Sequence, residues 1–473
     1  MNNLAQMLFE KNAENASRVV FVDNAETITY GQLEHRTRQL AAWLLGQGIQ
    51  PGDRVNFVLL DKINTVAAFL AVTLIGAVAV MNNPRSRQDN LLYKIEFADA
   101  KLTLAESNLA IDSAFTVEQA AEASATLDPY TEYYPSELNG QAFMLWTSGT
   151  TGHAKAVMHT HRSFLRNVET NCASYPTLST DRIMCTSKLF FAFGINYSFM
   201  TTMWVGAQAL LESGLTVPST VRESIRRYQP TKIYSVPFVY SQLVTDQQPI
   251  ELTAKCFAAG DRLPPVLIDR WESLTGQRIY NMLGTSEVLN SILYNPRGTS
   301  SLGQATPGNR VRVVRTDGSV ASTGETGYLE VQAPTIALGY YKDPEWTAKM
   351  FRTWVATGDV AYQDAAGDFY HQGRATDIIK IRGQYVNPGD IEESLQAYPG
   401  VSQSAVVSRL GINDIAIVEA YVVADSTVTP KDLRKWILSK HERYMCPKIF
   451  YLVQELPRTD TGKVQRYLLR KQQ

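Results

Sequence analysis

Along the first half of the chain, short apolar runs alternate with longer segments in which apolar residues recur every three or four positions. Residues 28–49 begin as a short strand and continue as a helix with Leu33, Leu40 and Leu44 on one side. Residues 53–60 form the next apolar run. Strand, helix and strand joined by short connections predict mostly parallel sheets that are covered by helices.

The longest uncharged run, residues 63–84, raises the alternative of a membrane span. A span requires about 20 strongly apolar residues, and this run is interrupted by polar residues and by Gly76. We therefore interpret it as a buried helix that ends at Leu74, a turn at Gly76 and a buried strand over residues 77–81.

The pattern changes after Tyr328 to strands, with a hairpin that turns at residues 364–368. The last hundred residues predict a separate α+β unit, in which Asn387 caps a helix over residues 386–398 and Thr429 caps a second helix that runs to Tyr444. Strands are predicted over residues 402–410, 415–424 and 449–457. The chain is thus divided into a large α/β domain with a small β-rich part (residues 1–373), a hinge (374–376) and a small domain (377–473).

Composition restricts the possible partners of the protein. The chain has 473 residues, so more than one core is expected, and its formal net charge of −1 argues against a nucleic-acid or membrane-surface partner. Its four cysteines, Cys172, Cys185, Cys256 and Cys446, are far apart, which argues against disulfides and a cysteine zinc site. With no apolar signal core in the first 16 residues, we expect a cytoplasmic protein.

One loop places small and hydroxylated residues directly after an apolar strand. In "WTSGTTGHAKAV", residues 146–157, close-packed donors precede Lys155, and such donors favour an anion such as phosphate. The motif is not a P-loop, because Ala154 and Ala156 replace its second glycine and its magnesium-binding hydroxyl. Taken alone, the loop is equally consistent with an ordinary surface turn.

Five further segments follow in order: "NMLGTSEV" (281–288), "GETGYLEVQAPTIALGYYKDPEWT" (324–347), "ATGDV" (356–360), "GRATDIIKIRGQYVNPGDIE" (373–392) and "PRTDTGKVQR" (457–466). Together with the loop, they resemble the signatures of the adenylate-forming (acyl/aryl-CoA synthetase, AMP-binding) superfamily. The resemblance extends over nearly the whole chain and is nearest in motif to benzoate-type aryl-CoA ligases. It implies activation of a carboxylic acid by ATP to acyl-AMP and then transfer to a thiol.

The resemblance also implies roles for individual residues in acid activation. ATP phosphates would be held by Lys155 and by the loop residues Thr147, Ser148, Gly149, Thr150, Thr151 and Gly152. Ser286 would contact the α-phosphate and Glu287 would bind Mg²⁺, whereas Lys463 would bridge the acid and ATP. Asp359 would accept both ribose hydroxyls, and Arg374 would hold a ribose or phosphate oxygen. The adenine would lie near Ala259, Gly260, Asp261, Leu283 and Gly284.

Other residues concern the thiol step and the choice of acid. Lys380, Arg382 and Gly383 lie in the segment that the family presents for the thiol step, after the small mobile domain turns about a residue here occupied by Thr376, or about its neighbour Asp377. Members carry an aromatic residue where Leu283 stands, so less adenine stacking is expected. Phe191, Phe193, Gly284 and Asn290 would form a flat, mostly apolar pocket for a ring, whereas Phe190 and Phe199 are expected in the core.

Several alternatives stay open or are disfavoured by the sequence. The thiol is that of coenzyme A or of a carrier-protein phosphopantetheine, and a monomer and a homodimer are equally consistent with the sequence. A ligand sensor without catalysis is disfavoured by the joint presence of Lys155, Glu287, Asp359 and Lys463. The pair His159 and His161 lacks a third ligand for zinc, and no G-x-G-x-x-G motif supports a dinucleotide oxidoreductase.

Overall fold

The structure is a computed structural model that describes residues 2–147, 154–246, 248–381, 384–410, 416–458 and 464–470. Within these ranges the strands form sheets of nine, seven, four, three and two strands. The three larger sheets belong to the chain before residue 375, and the two smaller sheets follow it. The α/β class, with a large first domain that includes a β-rich part and a smaller α+β last domain, is confirmed.

Helices separate most of the successive strands in the large domain. They are α1 (Leu4–Lys11), α2 (Tyr30–Gly46), α3 (Ile63–Leu74), α4 (Gln88–Phe97), α5 (Val117–Ser124), α6 (His161–Ser174), α7 (Ala192–Gly194), α8 (Thr202–Trp204), α9 (Pro218–Tyr228), α10 (Pro237–Thr245), α11 (Pro265–Thr275) and α12 (Pro344–Met350). A 3₁₀ turn (Ala13–Asn15) follows α1, and a π-helical segment (Ile195–Thr201) joins α7 to α8. The last domain contains α13 (Pro388–Gln396), α14 (Pro430–Leu438) and α15 (Arg466–Leu469).

The strands are short and mostly buried. They are β1 (Val19–Val22), β2 (Thr27–Thr29), β3 (Arg54–Val58), β4 (Val78–Met81), β5 (Leu102–Ala105), β6 (Phe115–Thr116), β7 (Gln141–Trp146), β8 (Ala156–Thr160), β9 (Arg182–Cys185), β10 (Gln208–Leu210), β11 (Lys232–Ser235), β12 (Lys255–Ala258), β13 (Ile279–Gly284), β14 (Ser291–Tyr294), β15 (Gln304–Ala305), β16 (Arg310–Val314), β17 (Gly327–Gln332), β18 (Gly339–Tyr340), β19 (Val355–Gln363), β20 (Phe369–Arg374), β21 (Ile379–Ile381), β22 (Gln384–Val386), β23 (Val401–Leu410), β24 (Ala416–Ala424) and β25 (Ile449–Leu452).

Both large sheets have parallel centres. In the described chain, the nine-stranded sheet has the order β15-β14-β13-β12-β11-β9-β10-β1-β2, and the seven-stranded sheet has the order β18-β8-β7-β4-β3-β5-β6. Strands β9, β11, β12 and β13 pair in parallel. Since parallel strands end at the same edge of a sheet, the segments that follow them lie side by side, which is where ligands bind in open α/β sheets.

The core of the large domain lies between the two large sheets, around helix α3. All residues of α3 except Asn64 are buried, and its Phe69 ring lies 5.7 Å from Phe143 of β7 and 5.3 Å from Phe199 of the π-helical segment, between ring centroids. The uncharged run of residues 63–84 is therefore apolar because it is buried by protein on all sides. Among the described residues, no helix has the length and hydropathy that crossing a bilayer requires.

The last domain packs α13 and α14 on the sheet of β23, β24 and β25. The predicted caps are confirmed: the Asn387 side chain accepts a hydrogen bond from the Gly389 amide at 2.9 Å, and the Thr429 side chain accepts one from the Asp432 amide at 3.3 Å. The prediction that the second helix runs to residue 444 is wrong, because α14 ends at Leu438. The residues that follow, "SKHERY", are polar and carry no apolar face that packing could stabilise.

Candidate active site

The phosphate-loop candidate begins where β7 ends and finishes where β8 begins. The Thr147 amide donates to the Lys155 carbonyl at 2.9 Å, and the Lys155 amide donates to Thr147 Oγ1 at 3.3 Å. Both ends of the loop are therefore held together at its base. The loop residues Ser148, Gly149, Thr150, Thr151 and Gly152 lie outside the described residues.

The Lys155 ammonium group is surrounded by side chains of the segment that contains β18 and α12. It lies 3.3 Å from the ring centroid of Trp346, 5.1 Å from that of Tyr340 and 3.9 Å from Asp343 Oδ2. Burial lowers the pKa of Lys155 below its ordinary value, while the carboxylates of Asp343 and Glu287 act in the opposite direction. This arrangement fixes the direction of a long, flexible side chain through cation–π contact.

Ser286 and Glu287 lie half-buried in the turn between β13 and β14. Glu287 Oε1 accepts a hydrogen bond from the Tyr340 hydroxyl at 2.8 Å, and the Glu287 carbonyl accepts one from the Ala337 amide at 3.0 Å. Burial, followed by the charge of Glu287, raises the pKa of Tyr340, so the hydroxyl remains a donor. The hydrogen bond from the Tyr340 hydroxyl to Oε1 thus orients the Glu287 carboxylate.

The residues around Glu287 fit a metal ion that binds together with a phosphate-bearing ligand, and not one that protein side chains hold alone. Within the described chain, no group of three or more His, Cys, Asp or Glu side chains is arranged to hold a metal. Magnesium commonly binds through one or two protein carboxylates plus phosphate oxygens and waters. A single oriented carboxylate beside the Lys155 ammonium therefore fits Mg²⁺ bound together with a nucleotide.

The two predicted ribose residues face each other across the β19–β20 hairpin. Asp359 pairs with Arg374 in the strand register, and Asp359 Oδ1 lies 3.3 Å from Arg374 Nε. The Arg374 Nη1 group also donates to the Thr357 carbonyl at 2.8 Å, and the Asp359 charge raises the pKa of Arg374. Although it is only 2% exposed, the Asp359 carboxylate thus has a cationic partner.

His371 completes this cluster, and the sequence reasoning did not find it. Its Nε2 atom lies 3.0 Å from Asp359 Oδ1. His371 pairs with Ala361 in the strand register, and a register shift between Val360 and Ala361 separates that pair from the pair of Asp359 with Arg374. A histidine on the predicted hairpin that carries Asp359 was the available signal, but the register shift that accompanies their contact was not visible in the sequence.

The adenine candidates come from the ends of two neighbouring parallel strands. Ala259, Gly260 and Asp261 directly follow β12, and Leu283 and Gly284 end β13. Gly260 has a φ of +94°, which only glycine adopts without strain. At Gly284, a Cβ atom would lie 2.7 Å from the Asn290 carbonyl oxygen, so glycine permits the chain to fold back toward Asn290 there.

The predicted acid pocket is bordered by aromatic rings. Phe191 and Phe193 are half-buried, and the ring centroid of Phe193 lies 5.1 Å from that of Tyr197 and 6.1 Å from that of Tyr234. Tyr197 stacks on Tyr234 at 4.0 Å. Phe190 and Phe199 are 4% and 1% exposed, which confirms that these two rings belong to the core.

A buried polar network behind these rings was also missed from the sequence. Asn196 Oδ1 accepts hydrogen bonds from the side-chain amides of Asn167 and Asn171, each at 2.8 Å, and Asn196 Nδ2 donates to the Leu289 carbonyl at 3.4 Å. Asn167 and Asn171 are one helical turn apart in α6, on a face that also carries Phe164 and Val168, so this spacing of two asparagines was a usable signal. Leu289, immediately before Asn290, has a φ of +67°.

Asn290 stands out among the predicted pocket residues. Its side chain is 2% exposed, and neither its amide nitrogen nor its amide oxygen has a hydrogen-bond partner in the part of the chain that the structure describes. Leaving a buried polar group without a partner is costly, commonly about 1–3 kcal/mol. The amide is therefore suited to a polar group of a ligand.

The predicted thiol-step and lysine-loop residues are only partly described. Lys380 lies in β21, and in the strand register it pairs with Tyr385 of β22. Arg382, Gly383 and Lys463 lie outside the described residues. Arg458 and Val464, which flank the segment containing Lys463, form an antiparallel bridge. The Arg458 guanidinium lies 4.0 Å from the ring centroid of Phe238 in α10, and Thr376 is exposed.

Both parts of the chain match models of one protein family. The model described as AMP-binding enzyme matches residues 8–341, and the model of the AMP-binding enzyme C-terminal domain matches residues 390–463. The chain belongs to the AMP-binding enzyme family.

Its similarity to named proteins extends over nearly the full length. It is 30% identical to a 3-hydroxybenzoate–CoA ligase of Aromatoleum sp. (strain CIB), over 96% of this chain and 93% of that protein. It is 31% identical to a 3-hydroxybenzoate–CoA/4-hydroxybenzoate–CoA ligase of Thauera aromatica, over 94% of this chain and 92% of that protein. The AMP-binding enzyme described here is thus an AMP-forming acid–thiol ligase.

A solved structure has the same fold as this AMP-binding enzyme. The crystal structure of a benzoate CoA ligase from Burkholderia xenovorans LB400 superimposes with a TM-score of 0.92 at 24% identity, and covers 99% of this chain and 100% of that chain. The likeness in fold therefore includes both domains.

The geometry around Glu287 predicts that the carboxylate is needed for chemistry and not for stability. Replacing Glu287 with Ala in this AMP-binding enzyme should lower acyl-AMP formation by at least about 10²-fold, since charge stabilisation by one group typically contributes 10²–10³-fold. The melting temperature should stay close to that of the wild type, because Glu287 is half-buried and outside the core. ATP-dependent pyrophosphate release, measured with saturating Mg²⁺, checks this.

Glu272→Ala is the matched control for Glu287→Ala. Glu272 lies in α11 and forms an ion pair with Arg278 at 3.5 Å, away from the site. This variant should retain wild-type activity. Near-normal adenylation by Glu287→Ala would show that Glu287 is not the magnesium carboxylate.

Proposed function

We propose that the protein activates an aromatic carboxylic acid of the benzoate type with ATP and transfers the acyl group to the thiol of coenzyme A. The observation that carries the proposal is the grouping of Lys155, Glu287 and the Asp359–Arg374 pair. Tyr340 contacts both Lys155 and Glu287, and Arg374 Nε lies 3.3 Å from Asp359 Oδ1. The charges of Glu287 and of Asp261 both act on Arg374, as does that of Asp359, which supports a single site.

In the first half-reaction, a carboxylate oxygen of the acid attacks the α-phosphorus of ATP. The bond from that phosphorus to the bridging oxygen of the β-phosphate breaks, and pyrophosphate leaves. Lys155 and the donors of residues 148–152 neutralise the departing phosphates, and Ser286 contacts the α-phosphate. Glu287 holds Mg²⁺, which supplies charge neutralisation when bound. Lys463 positions the acid against ATP.

In the second half-reaction, a thiolate sulfur attacks the acyl carbon of acyl-AMP. The bond from that carbon to the phosphate oxygen breaks and AMP leaves, so the thioester forms without further redox chemistry. We assign the segment with Lys380 and Gly383 to this step, after residues 377–473 turn about Thr376. The alternative acceptor is the phosphopantetheine of a carrier protein, which ends in the same thiol. A ligand sensor without catalysis is the least favoured function.

The pocket supports an aromatic substrate that bears a polar ring substituent. Phe193 is half-buried and packs against the buried rings of Tyr197 and Tyr234, so the part of the proposed pocket that Phe193 borders is aromatic and suited to a flat ring. The unpartnered Asn290 amide offers one donor and one acceptor to a hydroxyl or amino group on that ring. The names of the relatives, ligases of hydroxybenzoates, agree with this substrate class.

Substrate competition tests the proposed acid. Hydroxybenzoates and benzoate should exceed octanoate in kcat/KM, because a short and flat pocket excludes an extended chain. The measurement is pyrophosphate release for each acid, combined with mass spectrometry of the thioester formed with coenzyme A or with a phosphopantetheinylated carrier protein. A clear preference for octanoate would contradict the aromatic pocket, and a thioester on the carrier protein alone would select the alternative acceptor.

Asn290→Leu tests whether the Asn290 amide recognises the polar substituent on the substrate ring. It keeps a similar side-chain volume and removes the amide, so discrimination between hydroxybenzoate and benzoate should fall by about tenfold, while the KM for ATP stays unchanged. Unchanged discrimination would remove Asn290 from the pocket without affecting the proposed class of acid.

Lys463 should separate the two half-reactions. Lys463→Ala is expected to lower adenylation by at least about 10²–10³-fold, because a positioned cation is lost from the reacting phosphate. Conversion of preformed acyl-AMP to thioester should stay near the wild-type rate. Equal losses in both steps would contradict a role that is limited to one domain orientation.

The proposed pivot is tested by fixing its backbone. Proline at position 376 holds φ near about −65°, whereas a pivot has to move between two backbone conformations. Thr376→Pro should therefore lose one half-reaction and retain the other, as measured by pyrophosphate release and by thioester formation from preformed acyl-AMP. A folded variant with wild-type rates in both steps would place the pivot elsewhere or remove the need for rotation.

A further inference from the structure

Arg262 connects the candidate adenine segment to the last domain. It directly follows Asp261 and precedes α11, and its guanidinium reaches two carboxylates of α13. Arg262 Nη1 lies 3.1 Å from Asp390 Oδ1, and Arg262 Nη2 lies 2.5 Å from Glu393 Oε2. One planar fork from the large domain therefore engages two residues on one face of a helix in the small domain.

The start of α13 is shaped to admit this guanidinium. A Cβ atom at Gly389 would overlap with Arg262 Nη1, so a side chain there would require the guanidinium to shift. Asp390 is held in position by the Asn387 side-chain amide, which donates to Asp390 Oδ1 at 3.0 Å. An oriented carboxylate thus supports the contact in addition to opposite charges.

The same helix leads to the segment that contains Lys463. Arg466 Nη2 donates to both carboxylate oxygens of Glu392 in α13, at 2.7 and 2.8 Å. On the other side of that segment, Arg458 packs on Phe238 of the large domain at 4.0 Å. Fixing α13 against Arg262 therefore fixes the described flanks of the Lys463 segment relative to the large domain.

The strength of the contact suits a reversible role. The Arg262, Asp390 and Glu393 side chains are 26%, 35% and 34% exposed, and partly exposed ion pairs each contribute a factor of at most about five to an equilibrium. A tenfold change in the population of one orientation corresponds to about 1.4 kcal/mol. Two such contacts are enough to favour one domain orientation and weak enough to release it.

We propose that Arg262 is a positioning residue for the first half-reaction. By holding α13, it keeps the last domain, and with it the described residues Arg458 and Arg466, in the orientation that serves adenylation. Because it adjoins residues 259–261, it couples occupancy of the adenine site to that orientation. This inference rests on the proposed two-step function and adds a residue that none of the adenylation motifs contains.

The test compares Arg262→Gln with wild type in each half-reaction separately. Adenylation of a hydroxybenzoate should fall by about tenfold, while thioester formation from preformed acyl-AMP should stay at the wild-type rate or increase. Arg270→Gln is the matched control, because Arg270 is an exposed arginine of α11, and it should change neither step. Equal losses in both half-reactions, or no loss in either, would overturn the proposal.

Exchanging the charges of residues 262 and 393 tests whether these two side chains interact directly. Arg262→Glu should impair adenylation more than Arg262→Gln, since it places three carboxylates together, and Arg262→Glu combined with Glu393→Arg should recover part of the loss. A double variant that recovers no adenylation activity would contradict a direct contact between the two side chains.

An activity-independent measurement separates failure of this inference from failure of the proposed function. The small-angle X-ray scattering curve of the wild type with AMP should match the curve expected for the described domain orientation. The curve of Arg262→Gln should shift toward that of a mixture of domain orientations. Coincident scattering curves would overturn the role of Arg262 whatever the substrate. A shift in scattering from an enzyme that activates no tested aromatic acid would instead retain the contact and reject the proposed substrate class.

Discussion

A carboxylate withdrawn from water, that of Asp359, is the constraint on which the arrangement of the site depends. Its Oδ1 atom lies 3.0 Å from His371 Nε2 and 3.3 Å from Arg374 Nε. An unpaired buried charge costs several kcal/mol, so Arg374 and strand β20 are tied to the large domain. The strand is thus held to the large domain as far as Arg374, and the turn that contains the exposed Thr376, the proposed pivot, follows directly.

The contacts within the large domain and the contacts between the two domains are of different kinds. Within the large domain, contacts such as those of Phe69 with Phe143 and Phe199 are apolar and fully buried. Between the domains, the contact of Arg262 with α13 is a partly exposed ion pair. Close-packed apolar cores resist deformation, whereas small polar interfaces permit relative motion of domains. In the proposed two-step function, this difference would keep the large-domain half of the site fixed while the other half moves.

The segment of the proposed acid pocket that contains Leu289 and Asn290 is held by a strained backbone conformation and by buried hydrogen bonds. Leu289 has a φ of +67°, a conformation that commonly costs about 1–3 kcal/mol for a non-glycine residue and recurs at functional sites. Its side chain is 2% exposed, and its carbonyl accepts from Asn196 in a π-helical segment, a form that is frequent near functional sites. Burial and the asparagine network hold the chain in place between Glu287 and Asn290.

Much of the fold and part of the site followed from local sequence. The helix, turn and strand of residues 63–81, the caps Asn387 and Thr429, and the β19–β20 hairpin depend on neighbouring residues, whose spacing and turn chemistry are local properties. Motif residues such as Glu287 and Asp359 were found because each lies within a short, ordered segment. The end of α14 was misjudged because the predicted helix was extended over residues 439–444, which are polar and carry no apolar face that packing could stabilise.

Tertiary structure alone decided what surrounds those residues. The Tyr340 hydroxyl reaches Glu287 across 53 positions, Trp346 covers Lys155 from the other end of the large domain, and Arg262 meets Asp390 across 128 positions. No periodicity or turn signal relates positions so far apart, because such contacts arise only when separate elements pack. The sequence by itself predicted most of the elements and the candidate reactive groups, and packing determined the orientation, burial and charge environment of those groups.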